Sequence, residues 1–341
     1  MNKVEPLCPV FGICGGCEYQ DIAYEDELRV KEAGLKELFQ MELSVGGSLF
    51  EPILSSPKPY HYRHRLDLSL HKTRQGTMIG LYDREGKRVV DINGCPIADE
   101  KVSDFIPQLK AQALEKLPSE YRTATLTIKT SDDGRVHWGG IGRRSLQQKE
   151  EDYLWVELGG KKIYFSLETF FQANLSILPS VIEKIQALPI WDQEASFYDL
   201  YSGVGLFGLV LADRVKRVVM IEESVHSDKL AQYNIEQQKL SHVTAYCGET
   251  EKLFEEFICK EAEKNAVVMV DPPRKGLQEK ARLILNKYHS KISSLIYLSC
   301  HPESLMNDLK ELVASGWKVE RLMPFDFFPK TVHLETLVWL K

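Results

Sequence analysis

From about residue 196 onward the chain alternates two patterns of apolar and polar positions. Short β-branched or aromatic runs predict strands at "FYDLY" (197–201), "RVVMI" (217–221), "VTAYC" (243–247), "AVVMVD" (266–271), "SLIYLS" (294–299), "KVERLM" (318–323) and "LETLVWL" (334–340). Between them, segments such as "SVHSDKLAQYNIEQQKL" and "PESLMNDLKELVAS" place apolar residues at i, i+3, i+4 and i+7, the spacing of one helix face. Strand, helix, strand repetition predicts an α/β unit, a mostly parallel sheet with helices on both faces. Its ligands belong beyond the carboxyl ends of the strands.

The first half has another texture. One amphipathic helix is predicted at roughly residues 24 to 40, followed by short strands with turn signals at "SSPKP", "REGKR", "SDDGR" and "GGIGRR". That is the pattern of an antiparallel, β-rich domain. There is no internal repeat.

Composition narrows the class. At 341 residues and 43% hydrophobic content the chain can bury a substantial core in two domains. No stretch approaches the ~18 uninterrupted apolar residues of a membrane span, and Met1 to Gly16 lacks the pattern of a signal peptide, so the expectation is a soluble, cytoplasmic protein. A formal net charge of -6 argues against a protein that coats nucleic acid through bulk positive charge. A local basic patch stands at "YHYRHRLDLSLHKTR" (60–74), which reads equally well as the solvated face of a β-hairpin.

The seven cysteines do not form a disulfide framework. Cys8, Cys14 and Cys17 form C-x5-C-x2-C among Gly12, Gly15 and Gly16, a spacing at which thiolates share a metal. Cys95, in "NGCPIAD", is the natural fourth ligand. Three clustered cysteines and a remote one favour a [4Fe-4S] cluster, with zinc the alternative. Cys247 and Cys259, with apolar neighbours, read as core residues.

Chemistry concentrates at the strand ends. "DLYSGVGLFG" (199–208) follows the first strand and carries Gly203, Gly205 and Gly208 in G-x-G-x-x-G, a loop for a dinucleotide or for S-adenosylmethionine. Glu222, ending the second strand, would take ribose hydroxyls in either case. Asp199 and Ser202 ahead of the glycines, and the rigid turn "DPPRKG" that presents Asp271, favour S-adenosylmethionine. Cys300 ends the fifth strand in "LSCHPESL", at the same edge. The helix beginning about Pro302 is expected to stabilise a thiolate there through its dipole, with help from a protonated His301.

A thiol beside a methyl donor suits one reaction. The C5 carbon of uracil is a poor nucleophile until a thiolate adds to C6, after which C5 can take a methyl group. A base then removes the C5 proton so that the thiol leaves. Glu335, at the start of the last strand, is the expected base, and His333 is the local alternative.

"FFQANL", "DLYSGVG", "DPPRKG", "LSCHP" and "HLETLVWL", in that order after C-x5-C-x2-C and a remote cysteine, resemble the RNA 5-methyluridine methyltransferases across almost the whole chain. The resemblance implies a Rossmann-like class I S-adenosylmethionine-dependent methyltransferase domain, Cys300 as nucleophile and Glu335 as proton acceptor. It also implies Gln172, Tyr201, Glu222 and Asp271 around S-adenosylmethionine and the uracil, and a [4Fe-4S] cluster on Cys8, Cys14, Cys17 and Cys95. Residues 1–175 would then be the iron-sulfur segment and a β-rich RNA-binding domain, and 176–341 the catalytic domain, with the 24–40 helix packed on it. The chain departs from the family in His301, where Asn is usual, and in Leu206, where a polar Asn is frequent. Cysteines that begin at residue 8 leave no room for the RNA-binding TRAM barrel of many relatives, which ranks 23S ribosomal RNA above transfer RNA as substrate. No protein partner is expected. The rivals are an iron-sulfur nicotinamide or flavin oxidoreductase, which would use the same loop and cluster, and a non-catalytic RNA-binding relative.

Overall fold

The computed structural model describes all residues except 44–48, 75, 117–120, 142–148 and 262–264. Helix α1 (Tyr24–Leu43) precedes strands β1 (Arg65–Thr73), β2 (Gly76–Tyr82) and β3 (Val89–Asp91), helix α2 (Glu100–Lys116), and strands β4 (Thr123–Thr130) and β5 (Val136–Ile141). These strands form one sheet in the order β3-β2-β1-β4-β5, and every neighbouring pair is antiparallel. Leu66, Leu68 and Leu70 alternate with Arg65, Asp67 and Ser69 along β1, so period 2 turns the leucines towards Ile106 and Leu109 of α2 and the polar set away from them. "GGIGRR", read as a turn, instead contributes Gly139–Ile141 to β5, and the rest of it lies outside the described residues. The basic stretch at 60–74 is largely β1, hairpinned to β2.

A hairpin of β6 (Leu154–Leu158) and β7 (Lys161–Phe165) and helix α3 (Leu178–Gln186) lead into the second half. There β8 (Ser196–Leu200), α4 (Leu206–Val210), β9 (Arg217–Glu222), α5 (Val225–Gln238), β10 (Val243–Cys247), α6 (Thr250–Ile258), β11 (Ala266–Val270), α7 (Glu279–Lys287), β12 (Ile292–Ser299), α8 (Pro302–Ala314), β13 (Val319–Phe325) and β14 (Glu335–Leu340) follow in turn. The strands make a seven-stranded sheet, β10-β9-β8-β11-β12-β14-β13. Pairing is parallel from β10 to β12, and β14 runs antiparallel between β12 and β13. The chain builds outward from β8 in one direction and then from β11 in the other. The crevice between those two strand ends is therefore the switch point where such sheets bind ligands.

Both faces of this sheet are buried, which explains its continuous apolar runs. Val267, Met269, Ile296 and Leu298 face one core with α3 and α5, while Val268, Val270, Leu295 and Tyr297 face another with Leu35 and Phe39 of α1 and Leu305 and Leu309 of α8. Tyr153, Leu154, Phe165 and Phe171 join the first of these cores, so packing with the parallel sheet begins well before residue 176. Among the described residues no helix is long and apolar enough to cross a membrane.

The connection from β13 to β14 is held by the N-terminal part of the chain. Asn174 Nδ2 donates to Phe327 O, Lys31 Nζ to Phe328 O, the Tyr62 hydroxyl to Pro329 O, and the Glu18 and Tyr19 amides to Lys330 O. Lys31 also donates to Glu27 and Asp326, and buried Lys330 pairs with Glu27 at 3.1 Å.

Candidate active site

β8 hands over to α4 through a loop that needs unusual backbone conformations. Tyr201, Gly203 and Gly205 all have positive φ, at 61°, 55° and 91°. A Cβ at Gly208 would stand 2.4 Å from Met220 Sδ, so only glycine lets α4 approach β9 this closely. Asp199, buried at the end of β8, accepts the Gly208 amide at 2.7 Å. Burial, with repulsion from Asp271 and Glu222, pushes its pKa up to about 7. Glu222 accepts from the Gly203 amide at 2.9 Å and the Ser224 amide at 2.7 Å, so it fastens the loop from behind.

Gln172, Tyr201, Gly203 and Asp271 line one cavity of about 30 Å³ together with Asp199, Phe170 and Leu206. Gly205 and Glu222 do not line it. Gln172 Nε2 donates to Asp271 Oδ2 at 2.9 Å, and the Tyr201 hydroxyl donates to Glu251 at 2.9 Å. Leu206 gives this cavity an apolar wall. Sequence reasoning missed Phe170, a 61% exposed ring at the mouth, whose signal is a large apolar side chain left in water beside a polar loop. Ser202, singled out ahead of the glycines, is buried with a hydroxyl that has no hydrogen-bond partner.

Across the crevice, Cys300 follows β12, and Glu335 opens β14 next to it, with Ser299 paired to Thr336. Glu335 is buried, and its Oε2 has no hydrogen-bond partner. Burial raises its pKa well above the usual carboxylate range, and Asp271 adds repulsion that Arg274 partly offsets. Burial and repulsion from Asp271 are joined at Cys300 by repulsion from Glu335, and the thiol is pushed up to about 11. Burial and the two carboxyls thus oppose the thiolate that the helix dipole and His301 were expected to favour. His301 is the N-cap of α8, and its Nδ1 accepts the Ser304 amide at 3.3 Å, so the ring serves the helix rather than the thiol. His333 is held below its usual pKa by burial and by Arg274.

The four N-terminal and remote thiols also meet. Cys8, Cys14, Cys17 and Cys95 line one cavity of about 250 Å³, with Gln20 and Arg63 beside them. Gln20 Oε1 accepts the Cys8 amide at 3.1 Å. A Cβ at Gly15 would come 2.8 Å from Asp83 O, which requires glycine where the segment crosses the β2–β3 turn. Burial raises the thiols of Cys14, Cys17 and Cys95, that of Cys17 to about 12. Among the described residues, no three His, Cys, Asp or Glu side chains are drawn into a metal-binding group. Cys247 and Cys259, expected in the core, are exposed, because the first ends β10 at the sheet's outer edge and the second caps α6.

Comparison with known proteins bears on this site. The sequence pattern of the tRNA (Uracil-5-)-methyltransferase family matches residues 116–341. An uncharacterized RNA methyltransferase of Caldanaerobacter subterraneus is 30% identical over 98% of this chain and 84% of its own length. The 23S rRNA (uracil(1939)-C(5))-methyltransferase RlmD of Aliivibrio salmonicida is 28% identical over 98% and 82%. Among solved structures, the Pyrococcus abyssi tRNA (uracil-54, C5)-methyltransferase in complex with S-adenosyl-L-homocysteine superposes with a TM-score of 0.76 at 20% identity, covering 96% of this chain and 86% of that one.

Proposed function

Since the chain belongs to the tRNA (Uracil-5-)-methyltransferase family and is an S-adenosylmethionine-dependent RNA (uracil-5-)-methyltransferase, we propose that Cys300 and Glu335 carry out the reaction through a covalent adduct with uracil. The observation that carries this reading is a thiol and a partnerless buried carboxyl side by side, across the switch-point crevice from the glycine loop. Burial and repulsion among Cys300, Glu335 and Asp271 favour the protonated thiol and carboxyl. The methyl donor brings a positive sulfonium, and that charge favours their ionised forms.

Cys300 then adds to C6 of the uracil, and the electron pair released at C5 takes the methyl group, leaving the donor as its neutral thioether. Glu335 accepts the C5 proton, the C5–C6 double bond re-forms, and the Cys300 sulfur departs with the electrons of its bond to C6. Gln172 and Asp271 orient the reactants, Tyr201, Gly203 and Gly205 shape the cofactor loop, and Glu222 holds that loop in place through the Gly203 and Ser224 amides. A base inside a stem is out of reach of this crevice, so the substrate is a loop uridine or one flipped out of its stack. Ribosomal 23S RNA is the preferred substrate, supported by the names of relatives such as the Aliivibrio enzymes.

The cysteine segment suits an iron-sulfur cluster in its donor set, four thiols that line one cavity. A single tetrahedral ion would gather four sulfurs at about 2.3 Å from one point. Here the four stand around a cavity of about 250 Å³, which suits a larger group. The cluster would hold Cys8, Cys14, Cys17 and Cys95 together and brace residues 8–20. Methyl transfer asks no electron of it.

Cys300→Ala is expected to abolish methylation and the covalent adduct with 5-fluorouridine RNA while retaining S-adenosylhomocysteine binding. Undiminished turnover in this variant would remove Cys300 from the mechanism.

A further inference from the structure

Lys129 belongs to β4 of the antiparallel sheet, yet its ammonium leaves that sheet altogether. The residue is fully buried, and Nζ donates to Ser166 O at 2.8 Å and Thr169 O at 2.6 Å. Those carbonyls belong to a tight turn that opens the strap running from β7 to the cofactor cavity. Inside the turn, the Ser166 amide donates to Thr169 Oγ1 at 3.0 Å and the Thr169 amide to Ser166 Oγ at 3.2 Å. The turn's hydroxyls thus satisfy the Ser166 and Thr169 amides, and the lysine takes both carbonyls, that of Ser166 shared with a longer 3.5 Å bond from the Thr169 hydroxyl.

The far end of the strap is anchored by the same part of the molecule. Ala173 O accepts the backbone amide of His64, just before β1, at 3.2 Å and stands 3.1 Å from its ring Nδ1. Between the two anchors lie the rings of Phe165 and Phe171, stacked at 4.6 Å, with the His64 ring edge-on to both. Phe170 and Gln172 project from the strap to the cofactor cavity, Gln172 reaching Asp271 at 2.9 Å. An amine buried this deeply is costly unless its donors are used. Nothing in methyl transfer requires one here.

We propose that Lys129 is a positioning residue for the cofactor site: it fixes the strap from the antiparallel sheet and thereby sets Gln172 against Asp271. Burial and the nearby Arg65 cation bring the Lys129 pKa down to about 7. A neutral amine still carries two N–H, one for each carbonyl, so the grip does not depend on the proton. The sheet that carries Arg65 and Asp67 on its polar face is thus tied to the methyl-donor cavity through one side chain. Misplacing reacting groups by about 1 Å costs on the order of 100-fold in rate, which makes such a tie consequential.

The inference rests on the proposed place of the cofactor beside Gln172, and the experiment separates the two. S-adenosylhomocysteine affinity, KM and kcat would be measured for Lys129→Met, Lys129→Arg and Gln172→Ala, with thermal unfolding and hydrogen exchange of the 166–173 amides. In Lys129→Met a weakening of S-adenosylhomocysteine binding of about tenfold or more is expected, with KM for the methyl donor raised more than kcat is lowered and faster exchange confined to the strap. Lys129→Arg, which can still reach both carbonyls, is expected to recover most of the affinity. Weakening in Gln172→Ala but not in Lys129→Met would overturn the role of Lys129. No weakening in Gln172→Ala would instead overturn the cofactor placement. Should Lys129→Met not fold, Lys129→Gln is read in the same way, and failure of both to fold would make the lysine a fold-stabilising residue only and refute the proposal.

Discussion

Individual side chains in the crevice are tuned by burial more than by their sequence neighbours. Cys300 illustrates this, because it stands at a helix N-terminus that favours a thiolate, yet desolvation and repulsion from Glu335 and Asp271 push its pKa up. Glu335→Gln is expected to let the adduct form on uridine RNA but to slow its release at least 100-fold, visible as a protein–RNA band that persists under denaturing conditions. Rapid release would direct attention to His333. The same substitution has a pH signature. The folded pKa of Glu335 lies above its unfolded value, so its contribution to stability is complete below about pH 4.3 and is lost as pH rises. Glu335→Gln should therefore match the parent protein in Tm near pH 4 and exceed it by a few degrees at pH 8, as calorimetry would show. His301 caps α8 by accepting the Ser304 amide, a role an asparagine side chain also fills. His301→Asn is expected to keep stability within about 1 kcal/mol, whereas His301→Ala should cost about 1 kcal/mol in urea unfolding.

At the level of elements, the connection between β13 and β14 is not a free loop. Four consecutive carbonyls, from Phe327 to Lys330, are taken by donors from α1, the cysteine segment and the residues near β1 and the strap. The buried Glu27, Lys31, Asp326 and Lys330 charges compensate one another, so removing one leaves the rest unpaired. Lys31→Met is expected to destabilise the fold by about 3–5 kcal/mol, read from chemical unfolding, and a change below 1 kcal/mol would show that the network is not cooperative. The sequence already marks α1, through its apolar spacing, and all seven strands of the mostly parallel sheet. It misassigns Cys247 and Cys259, because apolar neighbours at strand or helix spacing say which element a residue occupies and not whether its side chain is covered at an edge or an end.

For the whole molecule, two sheets of opposite kind are joined by a small number of specific ties. The Glu18 and Tyr19 amides link the cysteine segment to the connection that leads to Glu335, and Lys129 links the antiparallel sheet to the cofactor strap. Protein purified without oxygen is expected to contain iron and acid-labile sulfide in equal amounts. Cys17→Ser should lose both and, through Glu18 and Tyr19, speed hydrogen exchange near Lys330. Zinc without sulfide would replace the cluster by a single ion.

Periodicity, glycine spacing and the order of motifs were enough to specify the α/β sheet, the antiparallel texture of the first half and the glycine loop after β8, because these follow from local conformational rules. Packing alone decided the surroundings that raise the Cys300 thiol, the capping role of His301 and the bonds of Lys129 to Ser166 and Thr169. Each depends on desolvation and on partners from distant parts of the chain, and neither can be read from neighbours in sequence.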